Sequence, residues 1–134
     1  MKAIRFVPTG VHAYFDYIGG LILLAAPFIF GFFDPKGAAT LVPMVLGIGL
    51  ILYSLLTNYE LGIPGLKFIP MVAHLIFDFV ACVFLIASPF LFGFFNLSTP
   101  NVCLPHIVSG VGVILLVLVT KTQYQPKVQV ATAQ

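Results

Sequence analysis

The sequence predicts an all-α membrane protein: four transmembrane helices, arranged as two tandem parallel helical hairpins related by a pseudo-twofold axis along the membrane normal. Three observations predict it. The first is composition. Of the 134 residues, 60% are apolar and 7% charged, whereas a soluble domain carries roughly a quarter charged residues. Too few polar side chains remain to cover an aqueous core, so lipid must solvate most of the surface. The second is an internal repeat. Arg5-Phe6-Val7-Pro8 returns as Lys67-Phe68-Ile69-Pro70, His12 and Asp16 return as His74 and Asp78, and Ala26-Pro27-Phe28-Ile29-Phe30-Gly31-Phe32-Phe33 returns as Ser88-Pro89-Phe90-Leu91-Phe92-Gly93-Phe94-Phe95. After a one-residue slip, Gly47-Ile48-Gly49 and Thr57 match Gly110-Val111-Gly112 and Thr120. The third is the placing of the basic residues at the ends of apolar segments.

The repeat divides the chain into a first hairpin over 1–62, a second over 63–120 and a polar tail over 121–134. Span one, about 12–33, follows Lys2 and Arg5 as a signal peptide would. Its length, the lack of a small-x-small cleavage site and the same layout in mid-chain mark it as a retained span. Spans two to four cover about 40–57, 73–95 and 102–120, each long enough for a hydrocarbon core of about 30 Å. Pro43 and Pro105 are expected in first helical turns, where the missing N–H does no harm. Pro27 and Pro89 lie deeper and should kink their helices or end their regular part. Lys2, Arg5, Lys67, Lys121 and Lys127 fall on one side of this plan and Lys36 alone on the other, which predicts cytoplasmic termini. The tail, with Pro126, is expected to be poorly ordered.

His12 and Asp16, and again His74 and Asp78, are spaced i, i+4 on one helix face. The stripe continues through small residues, so it should face the bundle interior. Ionisable groups at membrane depth point to function and need partners. Three roles fit: helix-to-helix glue, a proton or small-ion path, or a metal or haem site with the two histidines at equal depth. Of these, a structural network that neutralises itself, with no metal or cofactor, is the simplest. His106 belongs near the opposite face, too far to join one site, and is expected to act as an interfacial or capping residue.

Cys82 and Cys103 show no ligand spacing and read as buried thiols. Gly47-Ile48-Gly49 lacks the context of a nucleotide fingerprint, and Asn58-Tyr59-Glu60 reads as a solvated loop. A net charge of +2 gives no reason to expect nucleic acid.

The two Pro-x-x-x-Gly-Phe frames, Pro27, Phe28, Gly31 and Phe32, then Pro89, Phe90, Gly93 and Phe94, resemble the SPW-repeat membrane proteins of bacteria and archaea. In that family a Ser-Pro-Trp triplet falls near the end of the first helix of a hairpin. Here Phe28 and Phe90 stand for the tryptophan, and Ala26 for the first serine. The resemblance implies a four-helix integral membrane protein of the prokaryotic inner membrane and brings no activity with it. The sequence as a whole leads us to expect a non-enzymatic structural or interaction module that packs with itself or with a membrane partner. The alternative is a protein that conducts protons or small ions.

Overall fold

The computed structural model describes residues 4–126. Lys2, Lys127 and the last part of the predicted tail, 127–134, lie outside the described residues. Among the described residues four helices follow in chain order: α1 (Thr9–Ile29), α2 (Ala38–Leu55), α3 (Met71–Leu91) and α4 (Pro100–Val119). All four are long and apolar enough to cross a membrane. Large apolar side chains such as Leu21, Val45, Val80 and Leu115 remain well exposed along them, which fits a lipid-facing surface.

α1 packs mainly against α2 and α3 mainly against α4, so each repeat is a pair of packed helices, a hairpin. Close approach within them comes from glycine. A Cβ at Gly47 would stand 2.7 Å from the Gly20 carbonyl oxygen, and one at Gly110 would stand 3.0 Å from that of Cys82. Gly49 and Gly112, which the sequence groups with them, face open space instead. Their position on the helix turns them away from the neighbouring helix.

The hairpins are tied together at the end that carries Arg5, Lys67 and Lys121. Pro8 and Pro70 are extended and precede α1 and α3. The short segment before each hairpin pairs with the exit of the other. Val7 N–H donates to Val119 O and Lys121 N–H to Val7 O, both at 3.0 Å; Ile69 N–H donates to Leu56 O at 3.0 Å and Asn58 N–H to Ile69 O at 2.8 Å. Beneath this clasp sits a small core of Ala13, Tyr59, Met71, Leu75 and Val117. Between the clasp and the middle of the helices the hairpins leave a cleft of about 600 Å³ whose walls come from all four helices.

Helices one and three are shorter at their ends than the apolar runs suggest. Each stops two residues after its inner proline, Pro27 or Pro89, as the next residues turn. Gly31 and Gly93 adopt φ of +70° and +72°, the left-handed conformation that closes a helix and that glycine alone enters without steric cost. Phe32 N–H then reaches back to Pro27 O at 2.9 Å, and Phe95 N–H to Pro89 O at 2.9 Å. The proline-to-glycine frame is therefore a helix stop. Pro43 and Pro105 differ from expectation too, because α2 and α4 begin five residues before them and place both in the second turn. A proline there leaves the carbonyl four residues back without its helical donor. For Pro43 that carbonyl is Ala39 O, and His106 Nε2 lies 2.9 Å from it.

Candidate functional site

α1 and α3 bring His12, Asp16, His74 and Asp78 to one place between the hairpins. Their side chains are 0–2% exposed. The i, i+4 spacing puts each histidine beside its own aspartate. His12 Nε2 lies 3.2 Å from Asp16 Oδ1, and His74 Nε2 lies 3.2 Å from Asp78 Oδ2. The crosswise contacts are slightly closer: His12 Nε2 to Asp78 Oδ2 at 3.0 Å and His74 Nε2 to Asp16 Oδ2 at 3.1 Å. The imidazoles meet edge to face with centroids 5.5 Å apart. A haem between the histidines, one arrangement that the sequence allows, does not fit, because Asp78 Oδ2 itself occupies the space between the two Nε2 atoms.

Every member of the cluster is held from outside by a further side chain. Thr120 lies 2.8 Å from His12 Nδ1 and Thr57 lies 2.7 Å from His74 Nδ1. The threonine hydroxyls donate to carbonyls one turn back, Leu116 O at 2.6 Å and Tyr53 O at 2.7 Å. A hydroxyl has one proton, and a carbonyl can only accept. Each threonine oxygen is therefore an acceptor toward its histidine, and both histidines carry a proton on Nδ1. On the carboxylates, Tyr59 donates to Asp16 Oδ2 at 3.0 Å, and Tyr53 donates to Asp78 Oδ1. Burial pushes the Tyr59 phenol well above its ordinary range, and the Asp16 carboxylate adds to this. The phenol thus stays protonated as a donor. His74 Nε2 is the exception within the network. Two carboxylate oxygens lie within 3.2 Å, but neither is aligned as a hydrogen-bond partner.

Tyr59 corrects the reading of Asn58-Tyr59-Glu60 as a solvated loop. Asn58 and Glu60 are exposed, but Tyr59 is fully buried. Its ring lies 5.3 Å from that of His74, and Glu60 accepts the Thr9 hydroxyl at 2.8 Å. A lone aromatic between two polar residues gives no periodic signal, so sequence reasoning missed it. Thr57 and Thr120 did leave a signal, as matched polar residues at the exits of α2 and α4. Tyr53 has no tyrosine counterpart in the second copy, and nothing marked it.

His106 stays apart from the cluster, between Phe32 and Phe94, with ring centroids at 5.6 and 4.9 Å. Its two ring nitrogens face Val102 O at 2.7 Å and Ala39 O at 2.9 Å. Phe32 and Phe94, both set by the two helix stops, thus close on one residue of α4. A family model described as the SPW repeat domain matches residues 10–120.

The chain belongs to the SPW repeat family.

No curated protein and no solved structure matches the chain. In these SPW repeats Phe28 and Phe90, the residues after the prolines, point outward at 60% and 58% exposure. They stack on Phe33 and Phe95, both with centroids 4.5 Å apart. His12, Asp16, His74 and Asp78 of the SPW repeats lie toward the clasped end, far along α1 and α3 from this aromatic layer. Cys82 and Cys103 are free and buried.

Proposed function

We propose that this protein is a non-enzymatic interaction module of a prokaryotic inner membrane. It packs with a second copy of itself or with a helix of a membrane partner, through the cleft between its hairpins. The cleft is the observation that carries this reading. Leucine, isoleucine and valine dominate its walls, and Gly19 and Gly112 line it with nothing within 4 Å of an added Cβ. Small residues on an open apolar wall let another helix come close, and packing rather than a hydrophobic driving force joins helices in lipid. The clasp of Arg5, Lys67 and Lys121 then lies in the cytoplasm, with both termini, and the loop of Lys36 lies outside. The two hairpins are related by an axis along the membrane normal, which the matched contacts of Thr57 with His74 and Thr120 with His12 support.

Mass measurement in mild detergent tests the proposal. The wild-type chain is expected as an oligomer or with a stoichiometric partner, and Gly19→Leu with Gly112→Leu as a folded monomer. A wild-type chain that is strictly monomeric and alone overturns it. Reporter fusions at Gly37, Gly62 and the C-terminus test the orientation.

A proton- or ion-conducting role draws on the same four ionisable residues, because Asp16 and Asp78 face the cleft. Beyond them and Tyr53, the lining is apolar apart from Cys82 and Ser109, which favours the interaction reading. Liposome flux that is lost in the Asp16→Asn, Asp78→Asn double variant would reverse the preference.

A further inference from the structure

The His–Asp cluster has the chemistry of a closed metal site. The threonines place the Nδ1 protons of both histidines on the outside, so both Nε2 atoms face the two carboxylates. Tyr53 and Tyr59 occupy outward lone pairs of Asp78 and Asp16. What remains inside is two imidazole nitrogens and two carboxylate oxygens, with ligand-capable atoms within 4.8 Å of one another. With neutral imidazoles, four acceptors would face one another with nothing between them. Two carboxyl groups buried between helices must each be protonated or balanced by a positive charge, and as a pair of carboxylates they need two charges. Two protons on the Nε2 atoms would supply them, but a proton on His74 Nε2 would have no aligned acceptor.

We propose that His12, Asp16, His74 and Asp78 bind one divalent transition-metal cation, of which zinc is the expected type. A single dication balances both carboxylates while leaving both imidazoles neutral, and it gives His74 Nε2 a partner. A tetrahedral zinc with bonds of about 2.0–2.1 Å separates its ligand atoms by roughly 3.3 Å. The nitrogen–oxygen contacts to Asp16 Oδ1, Asp16 Oδ2 and Asp78 Oδ2 are 3.0–3.2 Å, and the set as a whole lies within 4.8 Å, so its wider separations would draw in on binding. The nitrogen and oxygen donor set suits zinc or iron over calcium or magnesium. The threonine and tyrosine partners are the outer contacts that orient metal-binding histidines and carboxylates. Four protein ligands leave no open position, the mark of a structural site. The ion would staple α1 to α3, and so one hairpin to the other, independently of what the cleft receives.

The experiment uses the full chain purified in detergent, stripped with a chelator and titrated with zinc alone. One zinc per chain is expected, with magnesium and calcium not competing at millimolar concentration. His74→Ala and Asp16→Asn should lose stoichiometric zinc, Thr57→Val should bind it roughly 10–100-fold more weakly, and His106→Ala should retain it. Zinc that fails to bind the folded wild-type chain, or that binds His74→Ala as well as wild type, overturns the site. Should the ligand variants not fold, cobalt-loaded wild-type protein decides. Intense tetrahedral visible bands and an absorption-edge fit with two imidazoles support the site, and a hydrated octahedral spectrum overturns it.

Discussion

His12 and Thr120 stand 108 positions apart in the chain and meet at 2.8 Å. The first helix and the last are joined there by a histidine N–H and a threonine oxygen whose own proton is already committed to Leu116 O. Its counterpart, Thr57 with His74, joins the exit of α2 to the start of α3. Together these bonds fix both imidazoles in one tautomer and aim them at the aspartates.

Thr120→Val keeps the shape of the side chain but removes the acceptor. It leaves a buried N–H on His12 without a partner, which costs about 1–3 kcal/mol. Thermal unfolding in detergent should show the loss, and Thr120→Ser should restore most of it. An unchanged transition in Thr120→Val would mean that the contact with His12 adds nothing to stability.

Asp16 and Tyr59 belong to one network, so their substitutions should not add. Asp16→Asn disturbs the charge balance of the cluster, and Tyr59→Phe removes a donor to the same carboxylate. A double-mutant cycle on unfolding free energy should give a coupling of about 0.5–3 kcal/mol. Additivity within error would separate the tyrosine from the cluster.

Glycines of the second helix should respond in opposite directions. Gly47→Ala drives a methyl group against the Gly20 carbonyl, so α1 and α2 must part, at a cost of about 1–3 kcal/mol. Gly49→Ala meets nothing and should be neutral or stabilising, by up to about 1 kcal/mol. Melting temperatures of the two single variants, measured side by side, check the contrast.

Gly93→Ala tests the helix stop. An alanine held at positive φ costs about 1–2 kcal/mol, and the change should loosen Phe94 from His106. Faster amide exchange over the end of α3, with the start of α3 unaffected, is the expected signature.

Much of this fold was legible because it rests on periodic or repeated signals. The apolar runs gave four spans, and the i, i+4 spacing of His12 with Asp16 and of His74 with Asp78 put them on inward faces. The ends of the helices were less legible. Apolarity runs past Ile29 and Leu91 without a break, and only the backbone angle at Gly31 and Gly93 decides where the helix stops. The partners of the cluster were hidden for another reason. Thr57 and Thr120 left only a repeat match, and Tyr53 and Tyr59 left none; all four reach the cluster through tertiary contacts, of which the spacing of residues within one helix carries no record.

The crosswise clasp, in which each hairpin's entry lies against the other's exit, also sets an order for biogenesis. When the ribosome has inserted only α1 and α2, His12 lacks both Thr120 and Asp78, and Asp16 lacks His74. The leading half of the protein must wait in the bilayer with His12 and Asp16 matched only to each other and to Tyr59 until α3 has left the translocon. Truncation before α3 therefore strands a membrane-embedded fragment with incompletely matched polarity, the kind of substrate that intramembrane quality control removes.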